Sequence, residues 1–142
     1  MADGIIALNA GSSNLKCAIY EIRDGGLVQL GRRVIEAHGD DAAGVGQLLD
    51  WAEGQHRDMR LVGAGHRVVH GGLGFRASLR LDQAAVSALE DLVPMAPLHQ
   101  PQSLALIRTL SELSPDLLQV ACFDTAFHAT QSEVATRFGL PR

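Results

Sequence analysis

The stretch Ile5-Ile6-Ala7-Leu8-Asn9-Ala10-Gly11-Ser12-Ser13-Asn14-Leu15-Lys16-Cys17-Ala18-Ile19 decides how this chain folds. Residues 5–9 are a short apolar run that stops at Ala-Gly-Ser-Ser, the pattern of a buried strand entering a tight turn. Residues 15–22 form a second strand, with Leu15, Cys17 and Ile19 alternating onto one face. A turn of small residues between two buried strands can aim backbone N–H groups at an anion. The hydroxyls of Ser12 and Ser13, the amide of Asn9 and the charge of Lys16 stand close enough to help. The same residues also read as a plain hairpin turn in which Gly and Ser serve conformation alone. A Walker loop is excluded, because its Gly-x4-Gly-Lys-Ser/Thr spacing is absent.

Outward from that hairpin, Asp24-Gly25-Gly26 is a turn signal and residues 27–37 read as a third strand closing a meander. Residues 41–55 carry Val45, Leu48, Leu49 and Ala52 at helical spacing, and Trp51 widens that apolar face. Residues 61–69 return to a strand that ends at Gly71-Gly72. Asp82 caps a helix running to residue 92, with Val86, Leu89 and Val93 on one face. Pro94, Pro97 and Pro101 impose an irregular segment. A helix over 102–113, a fifth strand over 117–123 and a short helix over 132–138 complete the chain. A meander followed by crossover helices predicts an α/β domain over residues 1–142, a mixed five-stranded sheet with helices packed on its faces.

Composition narrows the function. A chain that is 46% hydrophobic and 20% charged has the balance of a globular domain with a real core. Net charge is −4 and the twelve basic residues are scattered, which argues against nucleic acid or a membrane surface as partner. No apolar run nears the ~20 residues of a membrane span, and the first residues lack a signal-peptide pattern, so a cytoplasmic location is expected. Cys17 and Cys122 each sit in an apolar run and read as two buried thiols. Of the twelve basic residues only Lys16 is lysine, and it falls just after the Gly-Ser loop, where a compact point charge suits a phosphate.

Three further segments could carry chemistry. In Gly65-His66-Arg67-Val68-Val69-His70-Gly71-Gly72, Arg67 and Val69 share one strand face while His66, Val68 and His70 share the other. A buried Arg67 must reach either a bound carboxylate or phosphate or a structural acidic partner. His66 and His70 make a poor metal pair, since no third ligand lies nearby. In Pro97-Leu98-His99-Gln100-Pro101, the prolines stiffen a loop around His99, either to aim the imidazole or only to join two helices. In Cys122-Phe123-Asp124-Thr125-Ala126-Phe127-His128, Asp124 follows a buried strand, the ligand position of open α/β sheets, or caps the next turn.

Together, Asn9-Ala10-Gly11-Ser12-Ser13-x-x-Lys16, the Gly65–Gly72 segment, Ala96-Pro97-Leu98-His99-x-Pro101 and Phe123-Asp124-Thr125-Ala126-Phe127-His128 resemble the acetate kinase family of acetate and propionate kinases. The resemblance runs from Ile6 to Pro141 and implies the ribonuclease H-like fold of the actin, heat-shock chaperone and sugar kinase superfamily. By position it implies that Asn9 lies near a metal, that Ser12, Ser13 and Lys16 face the phosphates of ATP, and that Arg67 binds the acyl carboxylate. It further implies an alkyl pocket made in part by Val69 and Leu98, a His99 near the transferring phosphoryl group, and an active-site Asp124. Asn14, Gln100 and Gln102-Ser103 depart from the family's usual residues, which bears on fine substrate placement.

The activity implied is reversible phosphoryl transfer between ATP and acetate, giving ADP and acetyl phosphate, with Mg²⁺ (or Mn²⁺). Acetate is already ionised near neutral pH, so Asp124 is expected to act through the metal or by electrostatic orientation rather than as a base. The family's members are homodimers with two related domains. This chain corresponds to the N-terminal acyl/phosphate-binding domain, and the nucleotide-binding domain is expected to lie outside it. An inactive half-enzyme is therefore expected, with a non-catalytic anion- or acyl-binding module, or a remnant that pairs with a separate C-terminal half, as the alternatives.

Overall fold

The computed structural model of the chain describes residues 1–55 and 58–136. Its first strand, β1 (Ala2–Ala10), pairs antiparallel with β2 (Leu15–Arg23), which pairs antiparallel with β3 (Gly26–Ile35). Helix α1 (Ala42–Gln55) then carries the chain over the sheet to β4 (Met59–Val68), parallel to β1. A two-residue strand β5 (Leu79–Arg80), helix α2 (Gln83–Glu90) and helix α3 (Gln100–Leu113) precede β6 (Leu118–Phe123), which runs parallel to β4. A 3₁₀ turn over Asp124–His128 and a short helix α4 (Glu133–Thr136) follow. The expected end of that last helix, residues 137–138, lies outside the described residues.

The sheet has six strands in the order β3-β2-β1-β4-β6-β5, one more than the five expected. The extra strand is Leu79–Arg80, whose pairing to Ala121 and Val120 is set by β6 and not by any local alternation. Capping explains the helix starts. The Asp41 carboxylate accepts from the N–H groups of Ala43 and Gly44 (3.0 and 3.1 Å), which anchors α1 despite its glycines. Asp82 does the same for α2 through Ala85 N–H at 2.8 Å. Helix α3 begins at Gln100, two residues before the expected position, because Pro101 sits in its first turn, where a missing N–H costs nothing. The proline-rich stretch before it holds one 3₁₀ turn, Val93–Met95.

Alternation fixes what is buried. Ile6 and Leu8 of β1, with Leu15, Cys17 and Ile19 of β2, pack against Val45, Leu48 and Ala52 of α1 and Leu106 and Leu110 of α3. Val68 and Phe123 pack against Val86 and Leu89 of α2 and Leu104 and Ile107 of α3. Each fully buried aliphatic side chain contributes about 1.5–3 kcal/mol. Helices α1, α2 and α3 thus share one face of the sheet, where helices distributed over both faces were expected. On the opposite face Ala7, Lys16, Arg67 and Cys122 are exposed.

Candidate functional site

The Gly-Ser loop is a hairpin whose ladder runs through Ala10↔Leu15 and Asn9↔Lys16, closed by a Gly11 N–H bond to Asn14 O at 2.8 Å. The same register sets Asn9 beside Lys16 on the helix-free face, because opposed residues in an antiparallel pair project to one side. Parallel pairing continues the row. β1 meets β4 at Leu8↔His66, so Arg67 follows beside Asn9, and Arg67 pairs with Cys122 of β6. Lys16, Asn9 and Arg67 therefore stand on three adjacent strands, ~4.8 Å apart from one strand to the next.

Above this row lies a cavity of about 300 Å³ lined by Asn9, Ala10, Gly11, Ser12, Lys16, Arg67, Val69, His99 and Ser103. Two cations and no carboxylate line it, and Lys16 has no acidic partner among the described residues. A larger apolar depression of about 590 Å³ adjoins it on the bare sheet face and shares Asn9, Lys16 and Arg67 with it. The smaller cavity is the better candidate site, because its polar groups converge from three separate segments, residues 9–16, 67–69 and 99–103.

Arg67 is exposed rather than buried, and its partner is Asp124. Nε donates to both carboxylate oxygens at 3.0 and 3.1 Å, and Nη2 to Oδ2 at 2.6 Å. These hydrogen bonds, then the carboxylate's charge, push the guanidinium pKa up. Asp124 lines the adjoining depression and does not cap its own turn through its side chain. Nη1 of Arg67 and the second N–H of Nη2 have no protein partner among the described residues.

His99 and Val69 line the cavity. Ser13 and Leu98 do not; Ser13 is exposed on the hairpin tip and Leu98 is 76% exposed. His66 and His70 are both committed elsewhere. His66 Nε2 bonds Gln119 Oε1 at 2.7 Å in the core, and His70 Nδ1 accepts from Gly72 N–H at 2.7 Å. Burial pushes the His66 pKa down to about 4, against an opposing contribution from the Gln119 bond. No cluster of three His, Cys, Asp or Glu side chains suited to a metal occurs among the described residues. The two thiols differ: Cys17 is buried as expected, but Cys122 is exposed, because the face of β6 it occupies carries no helix.

Gln100 and Ser103 were not predicted from sequence as site residues. Gln100 is fully buried beside the cavity and Ser103 lines it. A glutamine at a helix start is common on a surface; the one signal was that Gln100 and Ser103 depart from the usual residues of the family the motifs resemble.

The fold is that of the ribonuclease H-like domains shared by actin, heat-shock chaperones and sugar kinases. Porphyromonas gingivalis acetate kinase superposes with a TM-score of 0.84 at 26% identity, over 99% of this chain and 42% of that one. A propionate kinase from Francisella tularensis gives 0.78 at 28% identity, over 98% of this chain and 41% of that one. Residues 31–142 match the acetokinase family, and the chain belongs to it. An acetate kinase of Rhodopseudomonas palustris is 39% identical over all of this chain and 42% of its own length. One from Streptomyces coelicolor is 38% identical over 96% of this chain and 40% of its own. The chain thus spans about two fifths of the length of the curated relatives it matches.

Proposed function

We propose that residues 1–142 form the acyl- and phosphate-binding domain of an acetate kinase, which transfers a phosphoryl group reversibly between ATP and acetate. The observation that carries this reading is the cavity with Lys16 and Arg67 on its walls, no carboxylate, and Val69 as its largest apolar residue. Such a wall suits a small anion with a short alkyl group. Arg67 has three N–H donors beyond those given to Asp124, enough to hold a substrate carboxylate in bidentate fashion. Lys16 and the Ser12 hydroxyl face the same space and would take phosphate oxygens, with His99 opposite as a further donor. Transfer then rests on holding the carboxylate and phosphoryl group in line while the fixed positive groups neutralise charge.

A divalent ion fits only in part. Asn9 and Asp124 supply the amide and carboxylate oxygens at and beside the cavity, and Mg²⁺ commonly combines one or two such groups with substrate phosphates and water. Asn9 and Asp124 would hold Mg²⁺ or Mn²⁺ on arriving nucleotide phosphates, where the ion supplies charge neutralisation. No helix among the described residues is long and apolar enough to cross a membrane.

Titration of the ¹⁵N-labelled chain with acetate and with inorganic phosphate tests the reading. Shifts are expected at Asn9–Lys16, Arg67 and His99, without acyl phosphate formation when ATP is added. Shifts confined to other surfaces would remove the assignment of the cavity, and turnover by these residues alone would remove the half-site claim.

A further inference from the structure

The end of β4 must find hydrogen-bond partners outside the sheet. Its pairing stops at Leu8↔His66 on one side and at Val68↔Phe123 on the other. Yet Arg67 and Val69, on either side of that stop, supply one wall of the cavity. The opposite wall, His99 and Ser103, belongs to the start of α3. Gln100 lies between them. It is 0% exposed; its Oε1 accepts from His70 N–H at 3.4 Å and its Nε2 donates to His70 O at 3.0 Å. A side-chain carboxamide that pairs both main-chain groups of one residue reproduces a strand's contact where no strand continues.

We propose that Gln100 is a positioning residue whose buried carboxamide clamps the main chain of His70 and so fixes the His99 wall of the cavity against the Arg67–Val69 wall. The proposal rests on the reading of that cavity as the anion site. Two neighbours reinforce the joint: the Ser103 hydroxyl donates to Arg67 O at 3.4 Å, and Thr125 Oγ1 accepts from Gly71 N–H at 3.0 Å. Ser103 is one helical turn after Gln100 and Thr125 follows Asp124, so the segments that bear His99 and Asp124 are both tied to this one stretch of main chain. Packing alone would fill the same volume without fixing direction. The carboxamide does both: Gln100 is itself fully buried, so its own polar atoms need partners, and it finds them in the N–H and C=O of the partly buried His70.

Gln100→Met keeps the volume and removes both bonds. In the 142-residue protein, amide exchange at His70 should quicken about tenfold or more, because the closed state loses its partners there. Inorganic phosphate affinity, followed at Lys16 and His99, should weaken about fivefold or more. Leu89→Ala, a truncation of a fully buried core residue that does not line the cavity, should cost at least as much stability yet leave phosphate affinity within about twofold of wild type. Unchanged His70 exchange in Gln100→Met overturns the clamp. Equal loss of phosphate affinity in Leu89→Ala overturns the positioning role in favour of general stability. If the wild-type protein shows no phosphate response, the functional reading fails by itself. Exchange at His70 then decides the clamp alone, quicker exchange in Gln100→Met supporting it and unchanged exchange overturning it.

Discussion

The Arg67 guanidinium and the Asp124 carboxylate close on one another at the ends of neighbouring parallel strands, Nη2 to Oδ2 at 2.6 Å. Their side chains are 53% and 40% exposed, and ion pairs so open to solvent contribute little, about 0–1 kcal/mol. The pair is therefore better understood as orienting Arg67 than as holding the fold.

Separating those roles gives the first prediction. Asp124→Asn should change unfolding free energy by less than about 1 kcal/mol. It should tighten inorganic phosphate binding a few-fold, since the cavity loses its nearest negative charge. Arg67→Lys should instead weaken acetate binding about tenfold or more, because an ammonium keeps the charge but loses the planar fork. Calorimetric titration of both variants checks this; normal acetate affinity in Arg67→Lys would remove Arg67 from the carboxylate site.

A second prediction concerns the turn after β4. A Cβ on Gly71 would stand 2.7 Å from Phe75 O and 2.9 Å from Phe123 Cγ, and those two rings stack with centroids 5.6 Å apart. Gly71→Ala should cost about 1–3 kcal/mol by overpacking. Gly74→Ala, whose Cβ meets open space, should stay within about 0.5 kcal/mol of wild type. Urea unfolding of the two variants is the measurement, and equal stabilities would contradict the packing at Gly71.

How much of this was legible in the sequence depends on how local each feature is. The Asn9–Lys16 hairpin lies within one short window, so its strands, turn and buried Leu15-Cys17-Ile19 face follow from alternation. The helices α1 and α2 follow from spacing and from Asp41 and Asp82, residues that can cap only what comes next in the chain. The row Lys16–Asn9–Arg67 does not follow from any window, since it exists only because β4 returns parallel to β1 after α1. The motif resemblance supplied Arg67 where periodicity could not. Leu79–Arg80 and the inward turn of Gln100 were hidden for the same reason: both are set by partners about 30 to 40 residues away, Ala121 and Val120 for the strand and His70 for the side chain.

The bare sheet face makes the thiols unequal. Cys17 is buried, donates to Arg33 O at 3.4 Å, and has its pKa pushed up by burial, all of which suppress the thiolate. Cys122 is exposed and accepts a hydrogen bond from the Ser78 hydroxyl at 3.6 Å. A disulfide-exchange reagent should titrate one thiol in the native protein and two in denaturant, and Cys122→Ser should abolish the native reaction. Native labelling that survives Cys122→Ser would contradict the burial of Cys17.

The last prediction follows from His66. Its pKa falls from an ordinary 6.5 to about 4 in the folded chain because burial disfavours the imidazolium. The unfolded chain then binds more protons than the folded one between those values, so stability rises with pH across this window. Full stability from this source is present above pH 6.5, is lost as pH falls towards 4, and changes no further below that. The difference corresponds to about 3 kcal/mol as an upper figure. His66→Gln should be less stable than wild type at pH 7, having given up the Gln119 hydrogen bond in its present geometry. Its disadvantage should shrink or reverse near pH 4, because it has no proton to take up. Carboxylates titrate in the same range but do so in both proteins, so the difference between the two urea-unfolding profiles isolates the histidine. Parallel profiles from pH 7 to 4 would show that His66 does not titrate on unfolding as its burial requires.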